Sequence, residues 1–149
     1  INDNDLSDLL SKIEEVNNNQ PLTYFEALTA AFFYGCKRFK ENLVIAEFGL
    51  FGRGDAVNIL KNAKLNGKKI IAVGTTVMRT LEATFLKFNE IKSCSDKTDI
   101  YIKPGFKFNV VDYLLTNFHL PKSTLLILIS AFSGEEEVKK IYDHAINKL

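Results

Sequence analysis

Residues 69–88 have the sequence KIIAVGTTVMRTLEATFLKF, and this stretch decides the fold class. Its first part, Lys69–Val73, is a short and mostly apolar run, which is typical of a strand buried on both faces of a parallel sheet. Residues 74–76 (Gly-Thr-Thr) form a turn, and the pattern over residues 77–88 predicts a helix. A strand that leads through a short turn into a helix is the repeating unit of α/β proteins.

The segments on either side repeat this alternation. Upstream, the apolar run Leu43–Ala46 predicts another buried parallel strand, and Asp55–Leu65 predicts a helix. Downstream, Ile100–Ile102 predicts a third strand, and Val110–Leu115 is a further apolar segment. We therefore expect an α/β fold with a partial parallel sheet and flanking helices, as a fragment of a larger α/β domain.

Helices are also predicted towards both ends of the chain. Asp5–Val16 has its apolar residues at helical spacing. Thr23 and Glu26 form a capping box for a second helix. Ser123 is placed to cap a strongly apolar helix, and the acidic residues 135–137 suit the positive end of a last helix.

The composition is that of an ordinary globular protein. Of the 149 residues, 46% are hydrophobic and 25% are charged, and a domain of this length can bury a core. The formal net charge is only +1, so there is no strongly basic surface of the kind that marks nucleic-acid binding. This is weak evidence against an RNA partner, because a fragment can carry part of a site without that surface.

Other features of the sequence bear on location. The longest apolar run, Leu125–Ile129, is too short to cross a bilayer, and no secretion signal opens the chain. Cys36 and Cys94 match no metal or redox spacing, so we expect reduced, partly buried thiols. A cytoplasmic protein without a membrane partner is expected. Both ends look cut from something longer, and composition gives no oligomeric state.

The first group of residues that can carry chemistry follows the central strand. Gly74, Thr75 and Thr76 place hydroxyl and N–H groups at a helix N-terminus, which suits a carboxylate, a phosphate or ribose hydroxyls. Arg79 and Glu82 are three residues apart and share one helix face. The same pattern is also typical of an ordinary capped helix with a surface ion pair.

The second group lies between an apolar strand and an apolar helix. Its members with polar or ionisable side chains are Thr116, Asn117, His119, Lys122 and Ser123. Ligands bind at such loops in open α/β sheets, and a histidine can act as a base near neutral pH. A structural histidine and an asparagine that only bonds the backbone are the alternatives.

The third group begins at Glu47, which follows the strand Leu43–Ala46 and precedes a glycine-rich loop. A carboxylate in this position can hold a divalent metal beside phosphates. Because the loop has no Lys-Ser or Lys-Thr pair, it is weak evidence for a nucleotide site.

Residues from about 55 to 149 resemble the C-terminal part of the S-adenosylmethionine:tRNA ribosyltransferase-isomerases of queuosine biosynthesis. Three segments in order carry the resemblance: IAVGTTVMRTLE (71–82), TDIYIKPGFKF (98–108) and DYLLTNFHLPKSTL (112–125). Such enzymes transfer and isomerise ribosyl from S-adenosylmethionine onto 7-aminomethyl-7-deazaguanine in tRNA, giving epoxyqueuosine. The resemblance implies tRNA and S-adenosylmethionine, the latter as substrate, as the partners of this chain.

The resemblance also implies roles for the residues of the first two groups. His119 and Arg79 are then the catalytic residues. The expected substrate-binding residues are Gly74, Thr75, Thr76, Glu82, Thr116, Asn117, Lys122 and Ser123.

Residues 1–58 resemble a different family, folylpolyglutamate synthase (dihydrofolate synthase). The segments PLTYFEALTAAF (21–32) and EFGLFGRGDAVN (47–58) carry this resemblance, which implies ATP and a magnesium ion held by Glu47. The family's Gly-Lys-Ser phosphate loop is missing, and its metal-binding histidine is absent near residue 74. We therefore expect a chimera of a ligase-like segment, 1–58, and a transferase-like segment, 59–149. A ligase fragment and an inactive fusion are the alternatives.

Overall fold

The computed structural model describes residues 3–18, 20–23, 26–27, 29–31, 34, 43–46, 54–94 and 97–148. The chain divides into two compact units, Ile1–Glu41 and Asn42–Leu149. The sequence-based division at residue 58 stays a prediction.

The first unit contains helix α1, Asp3–Val16, as predicted from its apolar spacing. Leu9 and Ile13 of α1 are buried together with Ala31. The capping box is confirmed, because the Glu26 carboxylate accepts the Thr23 N–H at 2.8 Å and the Thr23 hydroxyl accepts the Glu26 N–H at 3.3 Å. Residues 26–27, 29–31 and 34 that follow are helical.

The second unit is an α/β layer, which confirms the expected fold class. Its strands are β1 (Leu43–Ala46), β2 (Lys69–Val73) and β3 (Tyr113–Leu115), and they form one parallel sheet in the order β1-β2-β3. Its helices are α2 (Gly54–Leu65), α3 (Thr75–Phe88), α4 (Thr124–Ser133) and α5 (Glu135–Lys148).

The core of this unit forms around the central strand. Ile70 and Ala72 of β2 are completely buried, as expected for a strand covered on both faces. They belong to a cluster that includes Leu60 of α2, Met78 of α3 and Leu128 of α4. Burial of these side chains stabilises β2 in the middle of the unit. It therefore determines where the strand ends and where the turn at residue 74 begins.

The prediction of a strand at Ile100–Ile102 is wrong. The Ile102 side chain is buried in the core, but the backbone of this segment bonds to side chains. The Ile100 N–H donates to the Thr98 hydroxyl at 3.2 Å, and Arg79 donates to the Ile100 carbonyl. An apolar run can thus reflect burial without strand pairing.

Three other features differ from expectation. Of the apolar segment Val110–Leu115, only the last three residues form a strand, β3. Helix α3 begins at Thr75 rather than at Val77. Cys94 is a free thiol as expected, although it is exposed instead of partly buried, and Cys36 lies outside the described residues.

Candidate active site at the carboxyl edge of the sheet

The first two groups of predicted site residues leave neighbouring strands at the same edge of the sheet. Val73, the last residue of β2, is in register with Leu115, the last residue of β3. The N–H of Gly74 then donates to the carbonyl of Leu115 at 2.8 Å. The turn at 74–76 and the loop at 116–123 therefore start side by side. We call this place the carboxyl edge, and in parallel α/β sheets ligands bind there.

Gly74 makes the turn from strand to helix. Its backbone has φ 95° and ψ 144°, a conformation that is accessible essentially to glycine alone. Gly74 provides no side-chain cap for α3. Thr75 behind it is buried, whereas Thr76 is exposed. Of the two threonines, Thr76 is the one that a ligand can reach from solvent.

Arg79 lies one turn further along α3. Its Nη2 donates to the carbonyl of Ile100 at 3.2 Å, which ties the segment before residue 102 to the helix. Arg79 also lines a hollow of about 130 Å³ together with Tyr101 and Thr124, the first residue of α4. The fold thus brings Arg79 to the N-terminal end of the helix that follows the 116–123 loop.

Glu82 lies in the core, although its spacing from Arg79 suggested a position on the surface. Its role there is structural. Glu82 is completely buried, and its two oxygens accept the backbone N–H groups of Asn109, Val110 and Val111, each at 2.9 Å. The expected contact with substrate and the alternative of a surface ion pair with Arg79 both require an exposed carboxylate. The sequence signal was available, because Glu82 lies at a core-facing position beside Met78 and Leu81.

His119 is held from two sides within the 116–123 loop. Its ring Nε2 lies 3.1 Å from the hydroxyl oxygen of Thr116. Its backbone N–H donates to the Tyr142 hydroxyl at 2.7 Å, and this hydroxyl donates to the His119 carbonyl at 3.2 Å. Partial burial lowers the pKa of His119 below its ordinary value, so the ring is neutral at pH 7 and able to accept a proton.

The other predicted residues of this loop differ in what they do. Ser123 caps α4, because its Oγ accepts the N–H of Leu126 at 3.2 Å. Asn117 and Lys122 are exposed and thus accessible to a ligand. Lys122 has φ 60°, a left-handed conformation that is uncommon for a residue other than glycine. Sequence reasoning missed Tyr142, since nothing in its neighbourhood along the chain indicates a contact 23 residues away.

A larger hollow than the one beside Arg79 lies elsewhere. It has a volume of about 420 Å³ and runs along α3 between Thr80 and Phe88, opposite residues 97–100. None of the predicted site residues lines it. The chemistry-bearing side chains therefore single out the carboxyl edge and not this larger hollow.

The described residues contain no group of three histidine, cysteine, aspartate or glutamate side chains that could hold a metal ion. Glu47, the metal ligand of the ligase alternative, lies outside the described residues. In the same described ranges, no helix is long and apolar enough to span a membrane.

Comparison with known proteins supports the transferase resemblance. The family model described as "Queuosine biosynthesis protein" matches residues 38–149. The S-adenosylmethionine:tRNA ribosyltransferase-isomerase of Halothermothrix orenii is 53% identical over 92 residues, which are 62% of this chain and 27% of the relative. The enzyme of the same name from Rickettsia rickettsii is 53% identical over 94 residues, 63% of this chain and 26% of the relative.

A solved structure agrees with these relatives. The crystal structure of S-adenosylmethionine tRNA ribosyltransferase from Thermotoga maritima is similar to this one with a TM-score of 0.59 and 44% identity, covering 64% of this chain and 33% of that one. The chain thus spans about a quarter of the length of the curated relatives it matches. The ligase alternative, with its ATP and magnesium, receives no support from these relatives. From the family match over residues 38–149, this chain belongs to the queuosine biosynthesis protein family.

Proposed function

We propose that this chain is part of an S-adenosylmethionine:tRNA ribosyltransferase-isomerase and supplies one wall of its substrate site. One observation carries the proposal: the hydrogen bond from Gly74 to Leu115 joins the turn at 74–76 to the start of the 116–123 loop. This brings hydroxyl groups, a neutral imidazole and a lysine to one edge of a parallel sheet, where α/β proteins bind their ligands.

The reaction has two chemical demands. Ribosyl is transferred from S-adenosylmethionine to the aminomethyl group of 7-aminomethyl-7-deazaguanine in tRNA, and adenine and methionine are released as epoxyqueuosine forms. The positive sulfur of S-adenosylmethionine acidifies the hydrogen on the neighbouring C5′ carbon. A base must accept this proton, and the site must hold charged and polar substrate groups.

His119 is the proposed base. Its lowered pKa keeps the ring neutral, so one ring nitrogen has a lone pair to accept the C5′ proton. The contact between Nε2 and the Thr116 hydroxyl orients the ring. If the Thr116 hydroxyl accepts the Nε2 proton, Nδ1 is the nitrogen that receives the proton from substrate.

The remaining residues are proposed to bind. Arg79 lines the hollow next to Thr124 together with Asp99, and its guanidinium would bind an anionic group of the substrate there. Thr76 offers a hydroxyl at the same edge, and the exposed Asn117 and Lys122 would position the substrate. The turn and the loop that shape the site would be formed by Gly74, Thr75, Thr116 and Ser123. Glu82 would contribute from the core, where its carboxylate holds the segment that leads into β3.

A location in the cytoplasm is part of the proposal, since tRNA and S-adenosylmethionine are both present there. The division of the chain at residue 58 is also retained as a proposal, with a ligase-like segment before it. The family match starts earlier, at residue 38. Amplification across codons 50–65 from source DNA tests the junction, because a single continuous product would exclude an artefact of sequence assembly.

The test of activity must supply the part of the enzyme that this chain does not span. In the proposed experiment, residues 55–149 replace the matching segment of the Halothermothrix orenii relative, and we call the product the grafted enzyme. We expect the grafted enzyme to form epoxyqueuosine in tRNA, measured by mass spectrometry of digested nucleosides. A grafted enzyme that unfolds cooperatively but modifies no tRNA would contradict the proposal.

The role of His119 is tested in the same background. His119→Ala is expected to lower kcat/KM by about 10²-fold or more, the usual contribution of a general base. The matched control is His144→Ala, which removes the chain's other histidine from an exposed position on α5. An unchanged kcat/KM in His119→Ala would remove His119 from the mechanism and leave the family activity intact.

A further inference from the structure

The contact between Tyr142 and His119 has a geometry that packing alone does not require. One hydroxyl group satisfies both backbone polar groups of a single residue: it accepts the His119 N–H at 2.7 Å and donates to the His119 carbonyl at 3.2 Å. The two partners are separated by 23 residues, and His119 has no regular secondary structure. Tyr142 therefore holds the two peptide units on either side of the His119 Cα.

Helix α5 holds Tyr142 in place for this contact. Val138 lies four residues earlier on the same helix face and is buried. The ring of Phe118 meets the ring of Tyr142 edge to face, with centroids 5.0 Å apart. Burial of Val138 thus holds this face of α5 against the core, and Phe118 restricts the tyrosine ring while its hydroxyl bonds His119.

The loop has few internal bonds that could replace this contact. Inside it, the N–H of Ser123 donates to the carbonyl of Leu120 at 3.3 Å. That bond lies after His119 and leaves the residue's own N–H and carbonyl to Tyr142. The Thr116 hydroxyl bonds the ring. The ring of His119 is therefore held by Thr116 in the loop, and its backbone is held by Tyr142 on α5.

We propose that Tyr142 is a positioning residue that acts through His119, so that α5 is a working part of the site. This inference rests on the proposed function, in which His119 accepts a proton. The hydroxyl of Tyr142 fixes the backbone from which the imidazole projects, and Thr116 fixes the direction of the ring. A base must lie within hydrogen-bond distance of its proton, so a small displacement of this backbone lowers the rate of the chemical step.

The first experiment uses kinetics of the grafted enzyme. Tyr142→Phe keeps the ring against Phe118 and removes only the hydroxyl. We expect kcat to fall about tenfold while KM for S-adenosylmethionine changes by less than about threefold, since the lost interaction acts on the chemical step. Tyr113→Phe is the matched control, because Tyr113 is half exposed on β3 and contributes nothing to the proposed site.

A double-mutant cycle separates positioning from general stabilisation. If Tyr142 acts through His119, adding Tyr142→Phe to His119→Ala should lower kcat by less than about twofold. An undiminished tenfold loss in the double variant would overturn the inference. So would a Tyr142→Phe variant that matches wild type in kcat while His119→Ala is impaired.

The second experiment uses the full 149-residue chain and does not depend on activity. Hydrogen exchange of the His119 amide, followed by NMR, should be about tenfold faster or more in Tyr142→Phe, and unchanged in Tyr113→Phe. Equal protection in wild type and Tyr142→Phe would overturn the positioning role. An inactive grafted enzyme combined with faster exchange would sink the proposed function but leave the Tyr142–His119 restraint established.

Discussion

Oε1 of Glu82 accepts a hydrogen bond from the N–H of Val110 at 2.9 Å, and neither residue is accessible to solvent. The same oxygen accepts the N–H of Val111, and Oε2 accepts that of Asn109. One carboxylate on α3 thus holds three consecutive residues of the segment that leads into β3. Because β3 ends at the 116–123 loop, Glu82 contributes to the site by fixing where that segment runs.

Replacing Glu82 by glutamine should destabilise the protein. The amide keeps one acceptor oxygen but turns an NH₂ group towards a backbone N–H, so at least one buried donor loses its partner. We expect the free energy of unfolding to fall by about 1–3 kcal/mol, measured by urea denaturation. Glu14→Gln makes the same change at an exposed position within α1 and should shift it by less than about 0.5 kcal/mol. Equal denaturation midpoints for wild type and Glu82→Gln would contradict the anchoring role.

Asp112 provides a test based on pH. Partial burial alone would raise the pKa of Asp112, but the hydrogen bonds from Lys69 at 2.8 Å and from the Ile70 N–H at 2.9 Å, with the lysine's charge, outweigh it and lower the pKa below its ordinary value. The folded protein then binds this proton less readily than the unfolded chain. The stabilisation is present above the unfolded pKa of about 3.9 and is lost as the pH falls through the lower folded value.

The measurement compares wild type with Asp112→Asn in urea between pH 7 and pH 3. We expect the variant to be less stable at pH 7, and the difference to shrink below about pH 4 as wild type loses its advantage. Asp143→Asn removes the same charge from an exposed position on α5 and should stay within about 0.5 kcal/mol of wild type at pH 7. A difference that stays constant over the whole range would mean that Asp112 acts only through packing.

Several elements could be predicted from the sequence because their causes are local. The sequence predicts strand β2 at its observed residues, 69–73, since a short apolar run after a charged, glycine-containing turn has few other interpretations. The caps at Thr23 and Ser123 were also recognised, because a capping side chain bonds to an N–H only three residues away. The register of β2 and β3 then brought the two predicted groups of site residues together.

The errors have non-local causes. Ile100–Ile102 has the composition of a strand, but the carbonyl of Ile100 accepts a hydrogen bond from Arg79, which lies 21 residues away in the chain. The position of Glu82 on the core-facing side of α3 indicates its burial, but its three partners lie 27 to 29 residues further along the chain and no local pattern indicates them. Tyr142 was overlooked for the same reason. Local patterns report burial and capping, whereas the choice of a distant hydrogen-bond partner depends on the assembled fold.

Gly74 should be intolerant of a side chain for torsional reasons alone. At φ 95° and ψ 144° an added Cβ would meet no atom within 4 Å, so its cost would come from the backbone conformation and not from a clash. We expect Gly74→Ala to lower the free energy of unfolding by about 1–3 kcal/mol in thermal or urea denaturation. Thr76→Ala, two residues on in the first turn of α3, should change it by less than about 0.5 kcal/mol. Unchanged stability in Gly74→Ala would show that the turn relaxes freely.

His119 connects the stability of the fold to the chemistry of the site. Burial lowers the pKa of His119, so the folded protein binds this proton less readily than the unfolded chain, whose histidine has a pKa of about 6.5. The free energy of unfolding therefore declines as the pH falls from about 6.5 to the folded pKa, and the contribution of His119 is constant below that value.

We expect an NMR titration of the His119 ring to give a lower midpoint in the native chain than in the chain unfolded in urea. In the grafted enzyme, the acidic limb of kcat/KM should follow the native midpoint, because only the neutral ring accepts a proton. A native midpoint at or above the unfolded one would mean that the ring is not buried as described, and an acidic limb that ignores the midpoint would mean that another group is the base.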